Sequence, residues 1–163
     1  MKYFAYGSNM SLVRLKERAP GVEKVGVFIL KEHQLRFHKV SKDGSGKCDA
    51  YQTNNEDDMI FGALFEITED EKKALDKVEG LGFGYEEKMV TVKNDPGDVF
   101  ATLTYYATNT APSLKPFSWY LNHVVVGAKE TNVPSQYLEL IQSTECRDDP
   151  DPNRDAEQRA MYR

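Results

Sequence analysis

Two strand-like runs, 85–93 and 99–107, flank the segment Asn94-Asp95-Pro96-Gly97. Both runs are rich in β-branched and aromatic residues and the four between them are turn formers, so the stretch reads as a β-hairpin. An antiparallel pair of this length argues against a doubly wound parallel sheet. Further strand-like runs precede it at 25–30, at 33–40 with Leu35 and Phe37 alternating, at 50–53 and at 60–67, separated by turn-rich breaks at 41–47 and 54–58. The spacing predicts four helices. Ser11 can cap a short one on Leu12 and Leu15, stopped by Ala19-Pro20-Gly21. Thr68-Glu69-Asp70-Glu71 is a capping box opening a helix with Ala74, Leu75 and Val78 inward, which ends at Gly80 and leaves Glu79 as its last residue. Two more follow the hairpin, one from a first-turn Pro116 to Ala128 and one started by Pro134 over 136–141. Strands early and helices late give an α+β chain with a mixed or antiparallel sheet. One domain is expected over 1–146. Residues 147–163, polar and charged with two prolines, are expected to form a loosely held tail.

Composition narrows the function classes. With 163 residues, 40% of them apolar, one self-sufficient core is expected. The 26 acidic and 21 basic residues leave a charge of −5 with no basic stripe, which speaks against nucleic acid as a partner. No apolar run approaches the ~20 residues that cross a bilayer, and the start of the chain lacks a signal-peptide layout, so no membrane partner and a cytoplasmic location are expected. Cys48 and Cys146 show no metal-ligand spacing and read as reduced thiols. His33, His38 and His123 sit in strand-like or helical contexts as partly exposed structural residues. They suggest neither a metal site nor a triad, and Ser8 lacks the G-x-S-x-G elbow.

Two places can hold chemistry. In Tyr6-Gly7-Ser8-Asn9-Met10 a strand ends on a glycine, and a following helical turn would offer unpaired N–H groups to a carboxylate or an oxyanion. An ordinary capped turn fits the same residues. Glu79, at the negative end of a helix and beside Val78, Leu81, Phe83 and Tyr85, should have its charged form disfavoured and its pKa raised, as an acid/base requires. A solvated last-turn glutamate is the alternative. Gly80-Leu81-Gly82-Phe83-Gly84 follows a helix, the wrong context for a dinucleotide loop. Tyr6, Tyr85, Tyr105, Tyr106 and Tyr120 fall beside these segments and could edge a pocket or fill a core.

Taken together, 3–10 (YFAYGSNM), 43–47, 61–65, 75–80, 105–109 and 127–130 with Pro134 resemble, in order, blocks of the γ-glutamylcyclotransferase family. The resemblance reaches nearly to Ile141. It implies a small mixed or antiparallel β-barrel flanked by helices, with Gly7, Ser8 and Asn9 holding the glutamyl group. Glu79 would be the acid/base, with Tyr6, Tyr85, Tyr105 and Tyr120 around the substrate. The implied reaction is intramolecular, the α-amine attacking its own γ-carbonyl to give 5-oxoproline and a free amine, without metal or other cofactor. The expected partner is a small γ-glutamyl compound, a γ-glutamyl amino acid or dipeptide in preference to a γ-glutamylamine, a carrier-bound γ-glutamyl group or glutathione. A monomer or homodimer is expected, and a catalytically silent binding module stays open.

Overall fold

The computed structural model describes residues 1–163. Five strands close into a barrel in the order β1 (Lys2–Ala5), β5 (Met59–Glu66), β2 (Glu23–Lys31), β6 (Tyr85–Lys93) and β7 (Val99–Ala107). Neighbours pair antiparallel except at the closure, where β1 meets β7 in parallel at Tyr3 and Leu103, so the sheet is mixed. The hairpin of β6 and β7 pairs in one unbroken register from Tyr85–Ala107 to Lys93–Val99, its turn pinned by Asn94. Phe4, Phe28, Leu64, Phe65 and Val92 are fully or almost fully buried, and removing their apolar surface from water is the main driving force for closure. Strands β3 (His33–Val40) and β4 (Gly46–Gln52) form a separate ribbon. It is tied to the barrel where Asp49 Oδ1 accepts the Ala107 N–H at 2.8 Å.

The helices cover the barrel. A short α1 (Leu12–Lys16) follows the 3₁₀ turn Ser8–Met10, and Ser11, expected to cap it, turns its hydroxyl elsewhere. The capping box of α2 (Glu69–Glu79) is present in both directions, with Thr68 N–H donating to Glu71 Oε1 at 2.9 Å and Glu71 N–H to Thr68 Oγ1 at 3.1 Å. This helix ends at Gly80 in the left-handed conformation. Helix α3 (Ser118–Thr131) starts two residues after Pro116 and runs past Ala128. It lies so close to the 3₁₀ turn that a Cβ on Gly127 would stand 2.5 Å from Met10 Cβ. Pro134 caps α4 (Ser135–Gln142) from just outside.

The terminal segment differs from the sequence expectation. It carries a further helix, α5 (Pro152–Arg159), and is anchored rather than loose. Buried Asp149 accepts from Trp119 Nε1 at 2.8 Å and is ion-paired to Arg154, and Arg154 and Arg147 stack on Phe117. Polar composition suggested solvent because the chain is fastened by hydrogen bonds and ion pairs, not by apolar area. His123 is fully buried rather than partly exposed, its ring taken up by the same segment. No helix is long and apolar enough to cross a membrane.

Candidate active site

The ends of β1, α2, β6 and β7 converge where the barrel is capped by α3 and the β3–β4 ribbon. A narrow cavity there, about 30 Å³, is lined by Tyr3, Tyr6, Gly7, Ser8, Asn9, Cys48, Glu79, Tyr85, Tyr105 and Tyr120. All eight residues singled out in the sequence lie on this one cavity. Tyr106, one position on in β7, does not; it stacks under Lys88. Tyr3 and Cys48 were not anticipated. Tyr3 lies inside the β1 run with nothing local to mark it, and a lone cysteine in β4 gives no signal.

Asn9 brings the two candidate segments together. Its Nδ2 donates to Glu79 Oε1 at 2.9 Å and to the Tyr3 hydroxyl at 3.0 Å, while its Oδ1 is buried without a partner. Burial pushes the Glu79 pKa up, and Arg18, Asn9, Arg14 and Lys39 pull it partly back. Of the neighbours expected from the sequence, Val78 and Phe83 point outward, Phe83 with 92% of its surface exposed, while Tyr85 is buried and lines the cavity with Glu79. Tyr85 belongs to a wall completed by Tyr3, Tyr6, Tyr105 and Tyr120, and this wall supplies the low dielectric.

The tyrosine hydroxyls are largely committed to the scaffold. Tyr6 donates to the Tyr105 carbonyl at 2.6 Å, Tyr85 to the Cys48 carbonyl at 2.6 Å, and Tyr105 to Asp76 Oδ1 at 2.6 Å. Tyr120 accepts the Cys48 N–H at 3.0 Å, and Tyr3 accepts from Asn9, so these two hydroxyls keep a proton to donate. The Gly7, Ser8 and Asn9 N–H groups have no backbone acceptor. Gly7 has ordinary negative φ, −113°; space makes glycine necessary, since a Cβ would lie 2.9 Å from Cys48 Cβ. Burial also raises the Cys48 thiol to about 12, so it stays protonated.

The loop is held from behind. Arg14 Nε donates to Ser8 Oγ at 3.2 Å and its Nη1 to Gln158 Oε1 at 3.0 Å. Arginine only donates, so Gln158 Oε1 is the acceptor here, and His123 Nε2, 2.9 Å from it, must carry a hydrogen. His123 Nδ1 therefore accepts from Tyr162 at 2.5 Å, and Tyr162 in turn accepts from Ser11 at 2.9 Å. Burial and the nearby Arg14 charge lower His123 to about 4, consistent with this neutral ring.

The AIG2-like family matches residues 59–141. A bovine γ-glutamylcyclotransferase is 30% identical over 151 residues, covering 90% of this chain and 79% of its own. The chain belongs to the γ-glutamylcyclotransferase family. A solved structure described as a gamma-glutamyl cyclotransferase superposes with a TM-score of 0.84 at 27% identity, covering 92% of this chain and 90% of its own. A human protein solved as uncharacterised gives 0.82 at 28% identity, covering 90% and 89%. The family's barrel with flanking helices is the fold found here. In this chain the loop and Glu79 are brought to one cavity by β1, the 3₁₀ turn and the end of α2.

Proposed function

We propose that this chain cyclises γ-glutamyl amino acids or dipeptides to 5-oxoproline and releases the free amino acid or amine, with Glu79 as the proton shuttle. The observation that carries the reading is the 2.9 Å contact between Asn9 Nδ2 and Glu79 Oε1 inside a narrow, tyrosine-lined cavity. It joins a loop of free N–H groups to a carboxylate of raised pKa across 70 positions of sequence.

Each part has a task. The substrate's α-nitrogen forms the new bond to its own γ-carbonyl carbon, and the bond from that carbon to the leaving nitrogen breaks. The two protons shed by the α-ammonium end on the leaving nitrogen, so no external acid or base is consumed. A carboxylate whose pKa is raised by burial can take and return them. The orphaned Asn9 Oδ1 is an acceptor for the ammonium, and an unsatisfied buried acceptor favours a ligand that pairs with it. Free loop N–H groups and the Tyr120 or Tyr3 hydroxyl offer donors to the tetrahedral oxyanion. Tyr6, Tyr85 and Tyr105 give the wall that keeps the chain folded in an attacking geometry.

Incubation with a panel of γ-glutamyl compounds, with 5-oxoproline quantified, tests the reading. Glu79→Gln should retain fold and ligand affinity and lose at least ~100-fold in kcat, the scale of a lost general acid/base. Near-normal turnover in that variant, or no 5-oxoproline from any compound with the wild type, would sink it.

A further inference from the structure

Outside the narrow cavity, and continuous with it through Ser8, Glu79, Tyr85 and Tyr120, lies a second and much larger space of about 510 Å³. Its charge is the reverse of the molecule's. On a chain of net charge −5, this space is lined by Arg14, Arg18, Lys39, Lys42, Lys47 and Lys77 against only Asp43 and Glu79. Asp43 is already spent, binding Lys47 at 3.2 Å and accepting from Ser41 and Ser45.

Arg14, Arg18 and Lys39 are the cations of interest. None of them belongs to an ion pair anywhere in the molecule. Arg14 contacts only the neutral Ser8 and Gln158, and Arg18 Nη1 is buried without any partner. Lys39 stands over the Tyr85 ring at 4.7 Å, and all three act on Glu79. Two of these cations come from α1 and the turn after it and the third from β3, and all three line the same space as Glu79. Uncompensated, partly buried cations are costly unless an anion completes the site. Such a mouth also focuses the field toward anionic ligands and repels cationic ones.

We propose that this outer cavity is the leaving-group pocket and selects γ-glutamyl compounds whose leaving portion carries two or more carboxylates, such as an acidic amino acid or a short acidic peptide. Arg14, Arg18 and Lys39 are its anion-binding groups. The assignment rests on the cyclotransferase reading of Glu79, which fixes the γ-glutamyl end in the narrow cavity and leaves the outer space for the amine that departs. A leaving group with one carboxylate fills part of this charge; a cationic one, as in a γ-glutamyl polyamine, meets like charge on both sides.

The test compares γ-glutamyl-glutamate with γ-glutamyl-alanine. Wild type should favour the acidic dipeptide in kcat/KM by at least ~10-fold at low salt, and the margin should shrink near 1 M salt, where the screening length falls to about 3 Å. In an Arg18→Gln/Lys39→Gln variant the margin should fall to about 2-fold or less; because it is a ratio of two substrates on one protein, any change in turnover transmitted through Glu79 cancels from it, and Arg14 is left intact because it also holds Ser8. The same pair is titrated by calorimetry into Glu79→Gln protein, with and without those two changes, so that charge preference is read even where nothing turns over. A wild-type margin near unity, or one that survives loss of both cations, overturns the pocket assignment. Absence of 5-oxoproline with a persisting binding margin would instead remove the cyclotransferase reading and leave an acidic-ligand site.

Discussion

Removing a single oxygen from the C-terminal segment should destabilise the whole domain. In Tyr162→Phe the ring keeps its edge contact with His123, whose centroid lies 5.4 Å away, so the loss is confined to the hydroxyl. That hydroxyl bridges His123 Nδ1 and Ser11 Oγ, both on residues with no exposed surface. Each buried polar group left unpaired costs ~1–3 kcal/mol, and the Ser11 hydroxyl can rotate toward another acceptor, which sets the expected cost at about 2 kcal/mol. For a chain of this size that lowers the melting temperature by about 4–8 °C. Thermal unfolding at pH 7, with urea unfolding to check an unchanged slope, reads it out. Tyr51→Phe is the control: its hydroxyl has no partner and its ring is 41% exposed, so it should stay within ~0.5 kcal/mol of wild type. A Tyr162→Phe protein that melts within a degree of wild type would refute the reasoning and return the segment to a loose tail.

Two further outcomes are expected. Because folding lowers His123 from 6.5 to about 4, the unfolded chain binds a proton that the folded one refuses between those values. Stability should therefore fall as pH drops from about 6.5 toward 4, by ~3 kcal/mol from this group, with the depressed His33 acting in the same direction. The carboxylates held low, Asp43 and Asp149, add their losses only below about pH 4, whereas Glu79, held high, opposes His123 as pH falls; denaturant titrations of Glu79→Gln protein remove that opposition, and a profile flat between pH 7 and 5 there would contradict this account. Gly7→Ala should cost ~1–3 kcal/mol and lower kcat/KM by displacing the loop, because its Cβ meets Cys48 Cβ at 2.9 Å. Cys48→Gly should restore loop function to Gly7→Ala while Cys48→Ala should not; equal rescue by both would locate the clash elsewhere.

Local chemistry made much of this molecule legible. The Thr68–Glu71 capping box, the left-handed Gly80 and the Asn94–Gly97 turn are specified by neighbouring residues alone, and all three fall where the sequence puts them. Glu79 followed from the helix end. The cause of its raised pKa followed only in part: Tyr85 was expected beside it, but the rings from β1 and β7 reach it through a barrel closure made by the single Tyr3–Leu103 pairing. The fate of Ser11 was hidden for a similar reason: its hydroxyl serves Tyr162, 151 residues away, instead of the adjacent helix end. The cations of the outer cavity are spread from Arg14 to Lys77 and form no stripe in sequence; only the fold brings them to one mouth.

Arg14 lies on both the scaffold and the chemistry, and this links the terminal segment to the reaction. Its guanidinium is fixed by Gln158 on α5, and from that position it bonds Ser8 in the loop and acts on Glu79. Burial and the neighbouring Arg18 both disfavour its charge, and Tyr120, Glu79 and Tyr162 only partly offset that cost. An anion entering the outer cavity would supply the missing compensation. It would also weaken the positive field on Glu79, and with that field reduced the carboxylate holds a proton more readily at the moment the α-ammonium must give one up. The leaving group's charge and the base's strength are then coupled through side chains whose positions are set by α5, so the last turn of helix in the chain acts on chemistry at the end of α2.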